Sequence, residues 1–199
     1  MSNLRRVTRN LALAVAACVL TIAGAAPAQE MSEEEMMAIC LEAATPGSEH
    51  AMLAKGAGRW NVTVKSWMAP GAEPMVSQGT EEAEMILGGR YLKSEFQGAM
   101  MGMPFSGFGL LGYDNVTKKY VGTWCDSMGT GIMRFEGSFD AQKKELTCRG
   151  EYIDPATGKT VTATMVTRMF ADDHHVFEMW SPGPDGKPMK WMEMDYRRG

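Results

Sequence analysis

From Arg59 to the C-terminus, apolar and polar side chains alternate in short runs, which is the pattern of β-strands with one buried face. In the first run, Trp60, Val62 and Val64 are apolar and the residues between them are polar. Segments rich in Gly, Pro, Asn and Asp separate the runs, and these residues are typical of tight turns. The pattern predicts ten strands, the first beginning at 59 and the others spanning about 75–87, 90–98, 105–113, 119–126, 131–139, 145–153, 160–171, 174–180 and 188–196.

Hairpin-length connections between successive strands favour one particular all-β architecture. An open antiparallel sheet of ten strands exposes two long edges, whereas an up-and-down antiparallel β-barrel has none. We therefore predict a barrel of about ten strands with room for one small ligand. A β-sandwich is the alternative, but the short connections leave few places for its crossovers. We expect several glycines to supply the bends and bulges of the barrel, namely Gly98, Gly102, Gly107, Gly109, Gly112, Gly122 and Gly137.

A short helical segment at 29–58 is expected before the barrel domain at 59–199. Ser32 and Glu35 have the spacing of a capping box, and apolar residues at helical spacing follow them. The helix should run over about 32–44 and end before Pro46. A second short helix is predicted from Ser48 to a stop at Gly56.

The first 28 residues have the three parts of an export signal. Three arginines precede an apolar stretch at 11–26, and Ala26-Pro27-Ala28 matches a cleavage site. We expect cleavage after Ala28 and a periplasmic or secreted protein. The alternative is an anchored N-terminus, either uncleaved or lipidated at Cys18. The apolar run continues beyond Cys18, which argues against lipidation.

The net charge of the chain limits the kinds of molecule that it is expected to bind. Losing Arg5, Arg6 and Arg9 with the signal would change the formal charge from −4 to −7. An acidic protein of this kind is not expected to bind nucleic acid or an anionic membrane surface, and no stable membrane span is predicted after cleavage.

The cysteines that remain after cleavage of the signal are Cys40, Cys125 and Cys148. We interpret Cys125 and Cys148 as small buried residues on strands, and one disulfide stays open as an alternative.

Several motifs resemble those of known families. Gly58-Arg59-Trp60 on the first strand, with Arg197 and Arg198 after the last, resembles lipocalins and related calycins, in which a late arginine packs over the tryptophan. A more specific set of motifs extends over nearly the whole chain after the export signal, namely Pro46-Gly47, Glu49-His50, Trp60, 70–73, Gly79-Thr80, 88–90, 112–114, Trp124, Asp126, 129–131 and 154–159. This set is similar to a bacterial family described as domain of unknown function 1579. The resemblance implies a calycin-like barrel and supplies no catalytic residues.

Polar side chains among aromatic ones and methionines indicate a binding site for a small apolar or amphipathic molecule. Arg168 and Glu178 can instead form an ion pair on the outer surface. The predicted ligand-binding residues are Trp124, Asp126, Thr130, Arg168, Glu178, Trp180, Met100, Met101 and Phe108.

An enzyme acting at the barrel mouth is the alternative to a binding protein. In that hypothesis Asp126 or His50 is the general base and Arg168 stabilises developing charge. The sequence has none of the common motifs for an activated nucleophile or a phosphate-binding loop, so no cofactor is predicted.

The high methionine content raises a further hypothesis, a Cu(I) site built from thioethers. Met100, Met101 and Met103 are clustered, and Met192 and Met194 share a strand face. Neighbouring residues on a strand point to opposite faces, which disfavours a single copper site at Met100 and Met101. Methionines that line an adaptable apolar pocket are the preferred interpretation. For zinc, Asp173 and His175 alone are too few ligands.

Overall fold

The computed structural model describes residues 31–100 and 102–199, and it contains two helices followed by ten strands. All ten predicted strands and both helices are present. The predicted export signal and Met101 lie outside the described residues. The helices are α1 (Glu33–Ala44) and α2 (Ser48–Ala54), and the strands are β1 (Gly58–Ser66), β2 (Met75–Ile86), β3 (Tyr91–Met100), β4 (Met103–Asp114), β5 (Lys119–Asp126), β6 (Met133–Asp140), β7 (Glu145–Ile153), β8 (Thr160–Ala171), β9 (His174–Pro182) and β10 (Pro188–Arg198).

The strands form one closed antiparallel barrel in sequence order. Each strand pairs with its neighbours in the chain, and β1 pairs with β10 to close the sheet. The closing register places Trp60 opposite Arg198 and Ser66 opposite Met192. The predicted up-and-down barrel is therefore confirmed, and the β-sandwich alternative is wrong.

The expectation about the glycines agrees with Gly102, which has a φ of 76° in the turn before β4, but it needs correction for the glycines within strands. The register shifts lie between Lys190 and Met192 and between Met169 and Ala171, at positions without glycine. Most of the strand glycines instead make room for aromatic rings on neighbouring strands. A Cβ atom at Gly107 would lie 2.2 Å from the Trp124 ring. The missing side chains thus allow large rings to lie flat against the inner wall.

The N-terminal helices form where the local sequence supplies caps. The Ser32 hydroxyl accepts a hydrogen bond from the Glu35 backbone N–H at 3.2 Å, and the Glu35 carboxylate accepts one from the Ser32 N–H at 2.9 Å. The predicted capping box is therefore present at the start of α1. Neither of the two described helices has the length and apolar character needed to cross a lipid bilayer.

The two ends of the barrel differ in what lies across them, a helix at one end and loops at the other. At one end, here called the closed end, α2 packs against the barrel and inserts Leu53, which is 3% exposed. Leu53 belongs to a core cluster with Tyr120, Leu146 and Met165. The other end, here called the open end, is where β1, β3, β5, β7 and β9 end and connect to the next strand. A second core cluster, around Trp60 and Phe96, lines another part of the wall.

Candidate functional site

The barrel encloses a cavity of about 1550 Å³, lined mainly by apolar side chains. This volume exceeds the roughly 300–1000 Å³ of most sites for drug-sized ligands, so the interior has room for a bulky molecule. Methionine is prominent in the lining, which agrees with the interpretation of these residues as an adaptable apolar surface. The methionines that line the cavity are Met52, Met68, Met100, Met128, Met133, Met165, Met169, Met179, Met192 and Met194.

The structure separates part of the methionine set on which the Cu(I) hypothesis depends. Met100 lines the cavity, whereas Met103 is 47% exposed at the start of β4. Met192 and Met194 also line the cavity, as part of its general apolar wall. Within the described part of the chain, no group of three or more His, Cys, Asp or Glu side chains is arranged to hold a metal ion.

Three predicted binding residues lie together near the open end, where Trp124, Asp126 and Thr130 line the cavity. Trp124 donates a hydrogen bond from Nε1 to the Asp126 carboxylate at 2.9 Å. The other Asp126 oxygen accepts from the Met128 backbone N–H at 2.9 Å. Both oxygens of Asp126 are therefore engaged in holding the Trp124 ring and the following loop in place.

Phe108 does not line this cavity. It is 40% exposed and lies on the outer face of β4, beside a shallow surface depression. The reason is strand alternation around this position, because Phe105, Gly107 and Gly109 are buried and Phe108 lies between them on the opposite face. The predicted pocket that included Phe108 and Trp124 therefore falls on two sides of the wall.

Arg168, Glu178 and Trp180 also lie outside the cavity lining and form a polar group on the outer face. Arg168 contacts the Glu178 carboxylate at 2.7 Å and the Glu145 carboxylate at 2.8 Å. The Trp180 indole donates to Glu178 at 3.2 Å. The outward ion pair, which was the alternative for Arg168 and Glu178, is thus the arrangement in the structure.

This ion pair is part of a longer chain of contacts that we call the outer belt, comprising Glu145, Arg168, Glu178, Lys190, Glu193 and Lys65. It crosses β7, β8, β9, β10 and β1. Burial on its own would raise the pKa of Glu178, but hydrogen bonds from Arg168, Lys190 and Trp180 outweigh it and hold the pKa below its ordinary value. The outer belt ties adjacent strands together and is separate from the interior.

His50, the other candidate base, has a structural role at the closed end. Its ring is 5% exposed on α2, and Nδ1 accepts a hydrogen bond from the Gly47 backbone N–H at 3.0 Å. The ring also meets Tyr113 edge-on at 5.9 Å. His50 does not line the cavity, and Asp126 lies at the opposite end of the barrel. The two candidate bases therefore cannot act on the same group.

The sequence interpretation missed the most unusual polar residue of the interior, Glu81 on β2. Its carboxylate faces the cavity and accepts one long hydrogen bond, from the Tyr196 hydroxyl at 3.4 Å. Among the described residues, no lysine or arginine forms a salt bridge with it. Burial raises the pKa of Glu81 to about 7, and the weak bond from Tyr196 opposes this effect only in part.

Tyr196 links Glu81 to an aromatic group near the closed end. Its ring stacks on His175 at 4.3 Å, and the His175 ring meets Trp60 at 4.5 Å. Burial lowers the pKa of His175 to about 4, so its imidazole is neutral above pH 5. We call Glu81, Tyr196 and His175 the inner polar group.

Arg198 lies over the ring of Trp60, which is next to the inner polar group. Its guanidinium lies 4.2 Å from the centre of the Trp60 ring and donates hydrogen bonds to the backbone carbonyls of Lys55, Ala57 and Asp172. The late arginine expected from the calycin resemblance is therefore Arg198. Arg197 instead contacts Asp195 on the surface.

One signal in the sequence could have identified Glu81. Glu81 alternates with the same face of β2 as Ala83 and Met85, and the structure shows that this face is inward, because Ala83 is buried and Met85 packs against the core. The adjacent Glu82 obscured the signal, because two consecutive acids always place one on each face.

Cys125 and Cys148 line the cavity as free thiols, and Cys40 is exposed and also free. Burial raises the pKa of the Cys148 thiol to about 12, so it stays protonated at neutral pH. The prediction of a small buried residue on a strand agrees with Cys148, whereas Cys125 is only half-buried.

The fold and its interior define a calycin-like barrel with an internal cavity. The chain belongs to the family described as "Protein of unknown function (DUF1579)", whose profile matches residues 45–198. The matched region begins just before α2 and covers the whole barrel.

Solved structures with the same fold include two at low sequence identity. The crystal structure of Rv2717c from M. tuberculosis is 14% identical with a TM-score of 0.58, covering 78% of this chain and 99% of that chain. The S-type phycobiliprotein lyase CPES from Guillardia theta is 10% identical with a TM-score of 0.51, covering 80% of this chain and 96% of that one. At these identities the likeness shows the fold alone. No curated protein matches the sequence of this chain.

Proposed function

We propose that this protein binds a largely apolar small molecule inside its barrel. The observation that carries the proposal is the cavity of about 1550 Å³, which is lined mainly by apolar side chains although the barrel is otherwise well packed. Side chains in protein interiors normally fill such space, because unfilled apolar volume costs stability. A retained cavity of this size is typical of a binding site.

The open end is the expected route for the ligand. Met68, Met128 and Ile132 belong to loops at this end, line the cavity, and are 59%, 46% and 67% exposed. Apolar side chains around an opening favour contact with an apolar molecule before it enters. At the opposite end, α2 and the buried Leu53 cover the side of the barrel formed by β2, β3 and β4.

The experiment is a titration with Nile red, a neutral dye whose emission shifts to the blue in apolar surroundings. Thr167 lines the cavity, whereas Thr162 on the same strand is exposed on the other face. We expect saturable binding by the wild type, a loss of about tenfold in affinity for Thr167→Trp, and little change for Thr162→Trp. Non-saturable binding, or equal effects of both substitutions, would contradict an interior site.

The residues before the barrel support a second part of the proposal, that the protein is exported. The three arginines, the apolar stretch at 11–26 and the Ala-x-Ala sequence are the observations that favour it. Intact-mass measurement on protein from the native host should give a chain beginning at Gln29. A chain that retains residues 1–28, or a lipid mass on Cys18, would refute cleavage at this site.

A further inference from the structure

The inner polar group places a carboxyl group, with no cationic partner among the residues described, in a cavity that is otherwise mainly apolar. A carboxylate transferred to such surroundings is costly unless a cation or several hydrogen-bond donors accompany it. Within residues 31–100 and 102–199, Glu81 has one donor, the Tyr196 hydroxyl at 3.4 Å, and no cationic partner. Its capacity to accept further hydrogen bonds is therefore unused and available to the cavity.

The described residues around Glu81 supply no positive charge. Trp60 and Phe96 lie opposite Glu81 on the two neighbouring strands, and Tyr196 donates its hydrogen bond, so uncharged aromatic rings surround the carboxylate in the barrel wall. The Trp60 ring is already covered by Arg198 and the Tyr196 ring by His175, so the carboxylate is the group here that attracts a cation. His175 is neutral above pH 5 and Arg198 is engaged with Trp60 and three backbone carbonyls, so neither supplies the missing charge to Glu81.

We propose that the bound molecule is an amphipathic amine, whose ammonium group contacts the Glu81 carboxylate while its apolar part fills the methionine-lined cavity. This inference rests on the proposed function, because it assumes that the cavity holds a ligand. An ammonium group donates up to three hydrogen bonds, which matches the unused acceptor capacity of Glu81.

The test compares three probes with the same apolar chain, namely dodecylamine, dodecan-1-ol and dodecanoate, each measured by displacement of Nile red. At pH 8.5 we expect dodecylamine to bind the wild type about tenfold or more tightly than dodecan-1-ol, with dodecanoate weakest because like charges repel. The Glu81→Gln variant keeps the shape of the side chain and should lose the preference for the amine. Glu82→Gln, on the outer face of the same strand, is the matched control and should keep it.

The pH dependence gives an independent readout. Dodecylamine is cationic between pH 6 and 8.5, whereas Glu81 has a pKa of about 7 and becomes ionised across this range. We expect amine affinity to rise by about tenfold over this range while the affinity of dodecan-1-ol stays nearly constant. Tyr196→Phe removes the hydrogen bond that favours the ionised carboxylate, so it should move the midpoint of this rise to higher pH.

The outcomes separate the two proposals. Equal binding of amine and alcohol by the wild type, or an unchanged amine preference in Glu81→Gln, would overturn the amine assignment and leave interior binding intact. A failure of Nile red and all three probes to bind would overturn interior binding itself, and the amine assignment with it.

Discussion

At the scale of single residues, Glu81 places a carboxyl group whose ionisation is opposed by burial on the wall of an apolar cavity. Its only hydrogen bond within the described chain is the long one from Tyr196, so ionisation is opposed by burial. Arg198 is its structural opposite, because each of the three guanidinium nitrogens donates to a backbone carbonyl while the group lies over the Trp60 ring. Glu81 thus has few hydrogen-bond partners and faces the cavity, whereas Arg198 has several and joins β10 to the segment before β1.

Because ionisation of Glu81 is unfavourable in the folded protein, we expect Glu81→Gln to stabilise the fold in a pH-dependent way. The pKa of Glu81 is about 7 in the folded protein and near 4.5 when the carboxyl is exposed, so ionisation costs the folded state about 3 kcal/mol. Because the folded pKa is raised, this cost is absent below pH 4.5 and complete above pH 7. We expect the free energy of unfolding of Glu81→Gln to match the wild type at pH 4.5 and to exceed it by up to about 3 kcal/mol at pH 8.

Urea denaturation at several pH values measures this difference. His175 acts in the opposite direction over part of the range, since its pKa is lowered to about 4 and the wild type loses stability as pH falls below 6.5. Subtracting the wild-type curve from that of the variant removes the His175 contribution. A difference that does not change with pH would show that Glu81 is not the buried group described here, and Glu82→Gln should show no difference at any pH.

At the scale of strands and helices, much of the structure could be predicted because the relevant signals are local. Strand alternation and turn residues gave ten strands, and the Ser32–Glu35 spacing gave the start of α1. The bulges in β8 and β10 could not be predicted in this way, because they depend on how the closed barrel adjusts its register. Which face of β8 is inward was also ambiguous, since Met165 and Val166 are both apolar and both buried. This ambiguity explains why Arg168 was considered for the interior.

The fit between glycines and aromatic rings predicts the effect of Gly107→Ala. The new methyl group would lie 2.2 Å from the Trp124 ring, so the ring must move or the strands must separate. We expect a loss of about 1–3 kcal/mol in the free energy of unfolding. Gly131→Ala, where nothing lies within 4 Å, is the matched control and should be nearly neutral.

A double-mutant cycle tests the cause. In a Trp124→Leu background the ring is absent, so Gly107→Ala should cost less than about 0.5 kcal/mol. An equal cost in both backgrounds would mean that backbone preference, and not the approach of Trp124, explains the glycine.

At the scale of the whole molecule, the barrel combines a rigid outside with an adaptable inside. The outer belt joins five neighbouring strands through alternating charges, whereas methionines form much of the inner surface. The separation follows from strand parity, which sends Arg168 and Glu178 outward while Thr167 and Met179 face the cavity. The ligand-binding residues predicted from the sequence include members of both surfaces, such as Trp124 on the inner face and Arg168 on the outer face.

The difference between the two ends predicts how substitutions at each end affect binding. If ligands enter through the open end, charges placed there should hinder the approach of apolar molecules. We expect Met128→Asp combined with Ile132→Asp to slow Nile red association by about tenfold in stopped-flow fluorescence. Val116→Asp is the control, because Val116 is 73% exposed in the turn between β4 and β5 at the closed end. Should Val116→Asp slow association as much as the pair at the open end, entry would not depend on that rim, and the passage would have to lie beside α2.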